Sequence, residues 1–353
     1  MTSNPYKDLP SSAFWKTGVT QANPHNLAEI YKKKFAIPSD FKIATAGSCF
    51  AQHISRHLRK NGYQVLDLEP APPGLPEHRH QDFGYSMYSA RYGNIYTVRQ
   101  LLQLAQEVSG VWKPQDYIWE KNGGFYDALR PAVEPAGLRS AAEVMEHRQY
   151  HLERVKRLFQ DLDLFIFTLG LTEMWVHKDS GTVYPTAPGT IAGKYDPSRY
   201  QFVNAEYSEI IKDFNRFQRV LKSLRSGRPF KILLTVSPVP LTATASERHV
   251  LVATTYSKST LRSVAGQLAA RHDHIDYFPS YEIVTNPRLH STSFEENLRS
   301  VRSEAVEMVM QHFFAAHPMI ARPNTKTKKK RAKAKKEASQ VQCEEAILEA
   351  FGQ

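Results

Sequence analysis

The segment Gly47-Ser48-Cys49-Phe50-Ala51 closes an apolar run, Phe41–Ala46, and opens a stretch with apolar residues at Ala51, Ile54 and Leu58. Spacings of three and four predict a helix, so a strand turns here directly into a helix. The turn carries a hydroxyl and a thiol at the helix N-terminus. Free backbone N–H groups and the helix dipole at such an end lower a thiol's pKa and can hold an oxyanion. Glycine permits the sharp turn and leaves room for a substrate. A nucleophile so placed suits acyl transfer. The plain alternative is a tight turn with a buried Cys and a capping Ser, and the turn alone does not separate the two.

Other reactive residue types group less tellingly. His78 with His80 and His272 with His274 alternate imidazoles, but zinc sites need three or four ligands, so no metal is expected. Gly47 stands alone rather than in a phosphate-binding glycine pattern, and no cofactor is expected. The cluster Trp112, Tyr117, Trp119, Phe125 and Tyr126 could stack on sugar rings or pack a long loop.

These residues need a scaffold, and the apolar pattern supplies one. Phe41–Ala46, Leu164–Leu169, Lys231–Val236 and Ile275–Phe278 read as strands, with Tyr63–Leu68 as a further one. Leu164–Leu169 is apolar at almost every position, as a parallel strand buried on both faces should be. Between the strands run helical patterns capped at Thr97, at Ser140 with Glu143 three residues on, and at Asn204. A helix over about Tyr256–Arg271 and a last one over Glu304–Phe314 follow. The alternation predicts an α/β fold, a three-layer α/β/α doubly wound sheet of about five parallel strands. The expected organisation is an arm over 1–40, this domain over 41–315, and a basic tail over 322–353. Gly110–Arg139 and Val176–Val203 fall outside the pattern and are expected to be long loops covering the site at the strands' carboxyl ends.

The chain has 353 residues, of which 41% are apolar, which excludes a wholly disordered chain, a collagen-like fibre and a disulfide-stapled miniprotein. Its net charge of +11 sits mostly in one place. Lys326–Lys336 holds eight Lys or Arg and no acid, so the remainder carries only +3. A run without aromatics is a solvated extension that contacts polyanions weakly through counterion release. No membrane span and no signal peptide are expected. Two cysteines, Cys49 and Cys343, cannot form a disulfide framework, and a reducing cytoplasm is the expected location.

Several blocks recur in the order of a known family: Gly47–Ala51, then YGNIY at 92–96, FTLGLTEMW at 167–175, VSPVP at 236–240, YSK at 256–258 and YFPSYE at 277–282. In these the chain resembles the GSCFA domain family, a distant branch of the SGNH (GDSL-like) hydrolases, from about Phe41 to Phe314. The resemblance implies a nucleophile after the first strand, an oxyanion hole from later loops, and an Asp-x-x-His before the last helix. Aligned on Gly47, it places Cys49 as nucleophile; a one-residue shift places Ser48 there instead. It implies an oxyanion or substrate-binding role for Gly170 and Thr172, with Asn94 as a further donor, and a base or orienting role for Glu173. The Asp-x-x-His is absent, and Glu296-Asn297-Leu298-Arg299 stands in its place. A guanidinium cannot serve as base, so His249 and His290 compete with Glu173 for that role, while Arg299 could hold an anionic group of a substrate. The implied activity is that of an esterase or O-acyltransferase acting on an ester or thioester, with a carbohydrate among the candidate substrates. The alternative is a catalytically degenerate binding or scaffold module.

Overall fold

The computed structural model describes residues 4–27, 29–319 and 343–352. In chain order come β1 (Ile43–Gly47), α1 (Phe50–Lys60), α2 (Val98–Val108), β2 (Ile118–Lys121), β3 (Gly124–Asp127), α3 (Ala141–Asp161) and β4 (Leu164–Leu169). β5 (Glu173–His177), β6 (Val183–Tyr184), β7 (Tyr200–Asn204), α4 (Tyr207–Leu224), β8 (Lys231–Val236), α5 (Val250–Arg271) and β9 (Ile275–Tyr277) follow. Three helices, α6 (Ser280–Val284), α7 (His290–Ser293) and α8 (Ser303–Ala316), precede a 3₁₀ helix at Glu344–Phe351.

The central sheet has the order β1-β4-β8-β9, all parallel. Its strands alternate between two cores, as a two-residue period requires. Ala44, Ala46, Phe165, Phe167, Ile232 and Leu234 face the side carrying α2 to α5. Ile43, Leu164, Ile166 and Leu233 face the side carrying α1, α6 and α8. The fold is therefore a three-layer α/β/α sandwich. Thr97 and Ser140 cap α2 and α3 by accepting from Gln100 N and Glu143 N, as their side-chain chemistry predicts.

Three local expectations change. Tyr63–Leu68 is reduced to one parallel bridge, Val65 to Ile43. Ser89 takes the edge of β1 beyond that point: its hydroxyl accepts from Thr45 N at 3.0 Å and its N–H donates to Thr45 O at 3.4 Å. Asn204 ends β7 opposite Glu173 instead of capping α4, where Glu209 accepts from Glu206 N at 2.9 Å. The two stretches taken for loops contain sheet. β2 and β3 form a hairpin turned at Asn122 and Gly123, both with left-handed φ, and β6-β5-β7 form an antiparallel sheet. Trp119 and Tyr126 are buried with Tyr184 and Tyr200, the Trp119 ring 5.1 Å from that of Tyr184, so these two aromatics pack the joint between hairpin and sheet. The basic run Lys326–Lys336 lies outside the described residues.

Candidate functional site

The site is built where β1 meets α1. β1 ends at Gly47 with φ +136, and a Cβ there would stand 2.7 Å from Thr168 N and closer still to its carbonyl oxygen. Only glycine lets β1 run that near β4 and still turn. Ser48 N donates to Thr168 O at 3.2 Å, and Cys49 is the N-cap of α1. The Ser48 hydroxyl is buried, with no hydrogen-bond partner among the described residues. It packs on Gly170, where a Cβ would lie 2.8 Å from Ser48 Cβ.

The segment 94–96 is laid across the ends of β1 and β4. Ile95 N donates to Gly47 O at 2.9 Å, while Gly170 N and Leu171 N both donate to Tyr96 O. Gly170 O in turn accepts from the buried Lys258 Nζ at 2.8 Å. This clamping puts Asn94 and Tyr96 beside the turn. Tyr88 OH and Gln52 Nε2 donate to Asn94 Oδ1, which leaves its Nδ2 to donate to Glu344 Oε2. Tyr96 OH donates to the same oxygen at 2.7 Å.

Cys343 completes the cluster. Arg299 Nη2 donates to its sulfur at 3.5 Å, and Tyr96 OH lies 3.8 Å away. A hydrogen bond from Cys49, together with the Arg299 charge, outweighs burial and lowers the Cys343 pKa, which favours its thiolate. Burial pushes the Glu344 carboxyl up against the hydrogen bonds from Asn94 and Tyr96, and the Cys343 charge adds to the rise.

The remaining candidates are placed as follows. Thr172 is fully buried; its Oγ1 has no hydrogen-bond partner among the described residues, and its N–H donates to Ser257 Oγ at 3.1 Å. Glu173 opens β5 and accepts from Thr244 Oγ1 at 2.7 Å, with its pKa raised by burial. His249 is exposed and caps α5, its Nδ1 accepting from Leu251 N at 3.2 Å. His290 is exposed, with its ring 5.2 Å from that of Phe294. The contacts described bring Gly170 against Ser48, and link Cys49, Asn94 and Arg299 through Cys343 and Glu344. Tyr96 and Lys258 lie inside sequence blocks already singled out, but no spacing gave them a role. Cys343 stood out as one of two cysteines, but nothing in the sequence placed it or Glu344 at the site.

Comparison with known proteins supplies the family. The model of the GSCFA family matches residues 42–313. The chain belongs to the GSCFA family. No curated protein and no solved structure matches it significantly. The GSCFA match starts just before β1 and ends within α8, so every residue of the cluster belongs to it except Cys343 and Glu344. Among the described residues, no helix is long and apolar enough to cross a membrane.

Proposed function

We propose that this GSCFA domain carries out acyl transfer through Cys49, from an ester or thioester to water or to a hydroxyl, with a carbohydrate as candidate acceptor. The supporting observation is the convergence on one point. Cys49 caps α1 at the carboxyl end of β1, and Asn94 Nδ2 and Tyr96 OH turn their donors to the neighbouring space. Cys49 Sγ gives up its proton to solvent and adds to the carbonyl carbon, forming a C–S bond and an oxyanion. Asn94 Nδ2, the Phe50 N–H at the start of α1 and the Thr172 hydroxyl, which has no hydrogen-bond partner among the described residues, stabilise that oxyanion. The C–O or C–S bond to the leaving group breaks, the leaving group takes a proton, and an acyl-Cys49 remains. Water or a hydroxyl then attacks the acyl carbon, losing its proton to solvent, and the C–S bond breaks to release the thiolate. The helix N-terminus, rather than an imidazole, favours the thiolate. Glu173 and His249 are hydrogen-bonded elsewhere, and His290 packs on Phe294. Ser48 is given the neighbouring position because its hydroxyl is packed against Gly170.

Arg299, standing where the SGNH pattern has its His, favours a second reading: a binding module that has kept the fold and lost the chemistry. Turnover separates the two. Wild type is expected to hydrolyse simple p-nitrophenyl esters or acyl thioesters, and Cys49→Ala to lose that activity. Asn94→Ala is expected to lose about a hundredfold in kcat, as for one oxyanion donor. Full activity in Cys49→Ala would assign the nucleophile elsewhere. Inactive wild type with no acyl-probe labelling would leave the binding module. Two reduced thiols fit action in a reducing compartment such as the cytoplasm, and Lys326–Lys336 fits weak, salt-sensitive polyanion contacts.

A further inference from the structure

Cys343 and Glu344 fill the ground a substrate needs. One Glu344 carboxyl oxygen takes both Asn94 Nδ2 and Tyr96 OH. Its other oxygen lies 3.4 Å from where a Cβ on Gly93 would stand. The Cys343 sulfur lies against Cys49 and 3.5 Å from Arg299 Nη2. The helix behind them does little to anchor the segment: Ile347 is 41% exposed and Phe351 67%. An acceptor oxygen is thus held by two donors and an anion by a guanidinium, both beside Cys49. Asn94, Tyr96 and Arg299 lie within the part of the chain the GSCFA family shares, and the two occupants, Cys343 and Glu344, lie outside it.

We infer that Asn94 and Tyr96 form an acyl-oxygen subsite and Arg299 an adjoining anion subsite, together suited to an anionic acyl compound, and that Cys343-Glu344 is their tethered, displaceable occupant. Glu344 stands for the acyl oxygen and Cys343 for the anion. The titration directions agree with this division. Linkage makes the form favoured on docking anionic at Cys343, whose pKa is lowered, and neutral at Glu344, whose pKa is raised. While the segment is docked, the donors proposed for the oxyanion are occupied and Cys49 is covered. A ligand must displace the segment to reach Cys49. The inference rests on the acyl-transfer reading only for what becomes of that ligand afterwards.

Alkylation of Cys49 tests the occupancy without requiring turnover. The full chain is treated with iodoacetamide under reducing conditions, and the Cys49 peptide is followed by mass spectrometry. Cys343→Ala/Glu344→Ala is expected to label at least about tenfold faster than wild type, since the undocked form is then no longer a minor population. Tyr96→Phe, which leaves the segment intact and removes one donor, is expected to give an intermediate rise. Equal rates in all three proteins overturn the occupant. Glutaramate, the monoamide, which pairs one carboxylate with a neutral amide oxygen and has no ester to cleave, is then added to the double variant. It is expected to restore protection saturably, neutral glutaramide is not, and Arg299→Gln is expected to erase the difference. Equal protection by glutaramide overturns the anion subsite. Protection by glutaramate in a protein without ester turnover keeps the subsites and removes the acyl-transfer reading; the converse result does the opposite.

Discussion

On one side of Gly93 and Asn94, Asp127 lies between two arginines, 2.8 Å from Arg130 Nε and 2.9 Å from Arg148 Nη1. Glu69 pairs with His151 at 2.7 Å, and Glu107 pairs with Arg148. On the other side, Glu344 meets Asn94 and Tyr96, with Cys343 beside it. The two clusters adjoin: a Cβ on Gly93 would be 3.4 Å from Glu344 Oε1 and 3.8 Å from Arg130 Cβ. Burial raises a carboxyl's pKa in both. Next to Asp127 the arginines outweigh burial and bring the group to about 2, and His151 and Arg130 do the same for Glu69. At Glu344 only uncharged donors oppose burial, and the pKa stays raised. Glu107 is the exception there, since burial keeps its pKa raised even against Arg148, but the ion pairs of Arg130 and Arg148 with Asp127 and Glu107 fasten α2, α3 and the β2–β3 hairpin together. A cluster that leaves an acid without a cation is one an occupant can leave, and buried groups so perturbed are where function is sought first.

The same acid-to-amide change should therefore have opposite results on the two sides. Asp127→Asn removes a charge that two buried guanidinium groups depend on. Breaking a buried pair from one end costs about 3–5 kcal/mol, so urea unfolding should show a loss of that order. Cys49 alkylation should stay within about twofold of wild type, because local stability need not couple to a docked segment. A loss below about 1 kcal/mol, the range of exposed pairs, would mean that the arginines are solvated and the contrast fails.

Acid should also separate the clusters. Asp127 and Glu69 have folded-state values of about 2, below their ordinary values of 3.8 and 4.5. Their contribution is fully present above about pH 4.5 and is lost as pH falls from there towards about 2, with the unfolded state binding more protons throughout. Thermal scans should show Tm dropping steeply over that window in wild type and less steeply in Asp127→Asn. Parallel curves would show that these two carboxylates do not govern acid unfolding.

How much of this was legible beforehand follows from the range of the interactions. The central strands and the caps at Thr97 and Ser140 depend on neighbours within a few residues, and local pattern exposed them. So did the strand–turn–helix at Gly47–Phe50, because a lone glycine between an apolar run and a helical stripe has few other uses. The β5–β7 sheet was hidden because its strands are short and interrupted by Gly181, Pro185, Pro188 and Gly189. Ser89, which displaces the expected strand from the edge of β1, acts through two hydrogen bonds that no periodicity encodes. Arg299 could be singled out as a departure from a pattern, but its partner could not. Cys343 and Glu344 reach Tyr96 across 247 and 248 positions of sequence, and the weakly apolar helix after them gives no hint of a polar anchor. Ile347 and Phe351 give that helix an apolar face, yet both are largely exposed and the docking is made by the two residues at its start.

The thiol pair offers a trap for the second cluster. With oxidised glutathione, the Cys343 thiolate attacks one sulfur of the reagent, forming a mixed disulfide and releasing glutathione thiolate. Cys49 then attacks the Cys343 sulfur, closing a Cys49–Cys343 disulfide as a second glutathione thiolate leaves. Non-reducing peptide mapping should find the linked peptides within one chain. Arg299→Ala should slow the first step by raising the Cys343 pKa. Mixed disulfides that accumulate without closing would mean that the sulfurs do not meet, and the docked geometry would be wrong.

The smallest expected effect is Glu344→Gln. A glutamine keeps an oxygen for Asn94 Nδ2 and Tyr96 OH and is nearly the size of the protonated acid. The raised pKa of Glu344 says that the neutral form docks better than the ionised one. The amide should therefore hold its place, with unfolding free energy within about 0.5 kcal/mol of wild type, the usual range for changes that remove no contact. Cys49 alkylation should shift by less than about threefold, or roughly 0.6 kcal/mol at most, far from the release expected of the double alanine variant. Set beside Asp127→Asn, it tests the contrast in one pair of measurements. A large rise in Cys49 alkylation with Glu344→Gln would show that the charge itself holds the segment, and that Asn94 and Tyr96 read an anion where a neutral acceptor is expected.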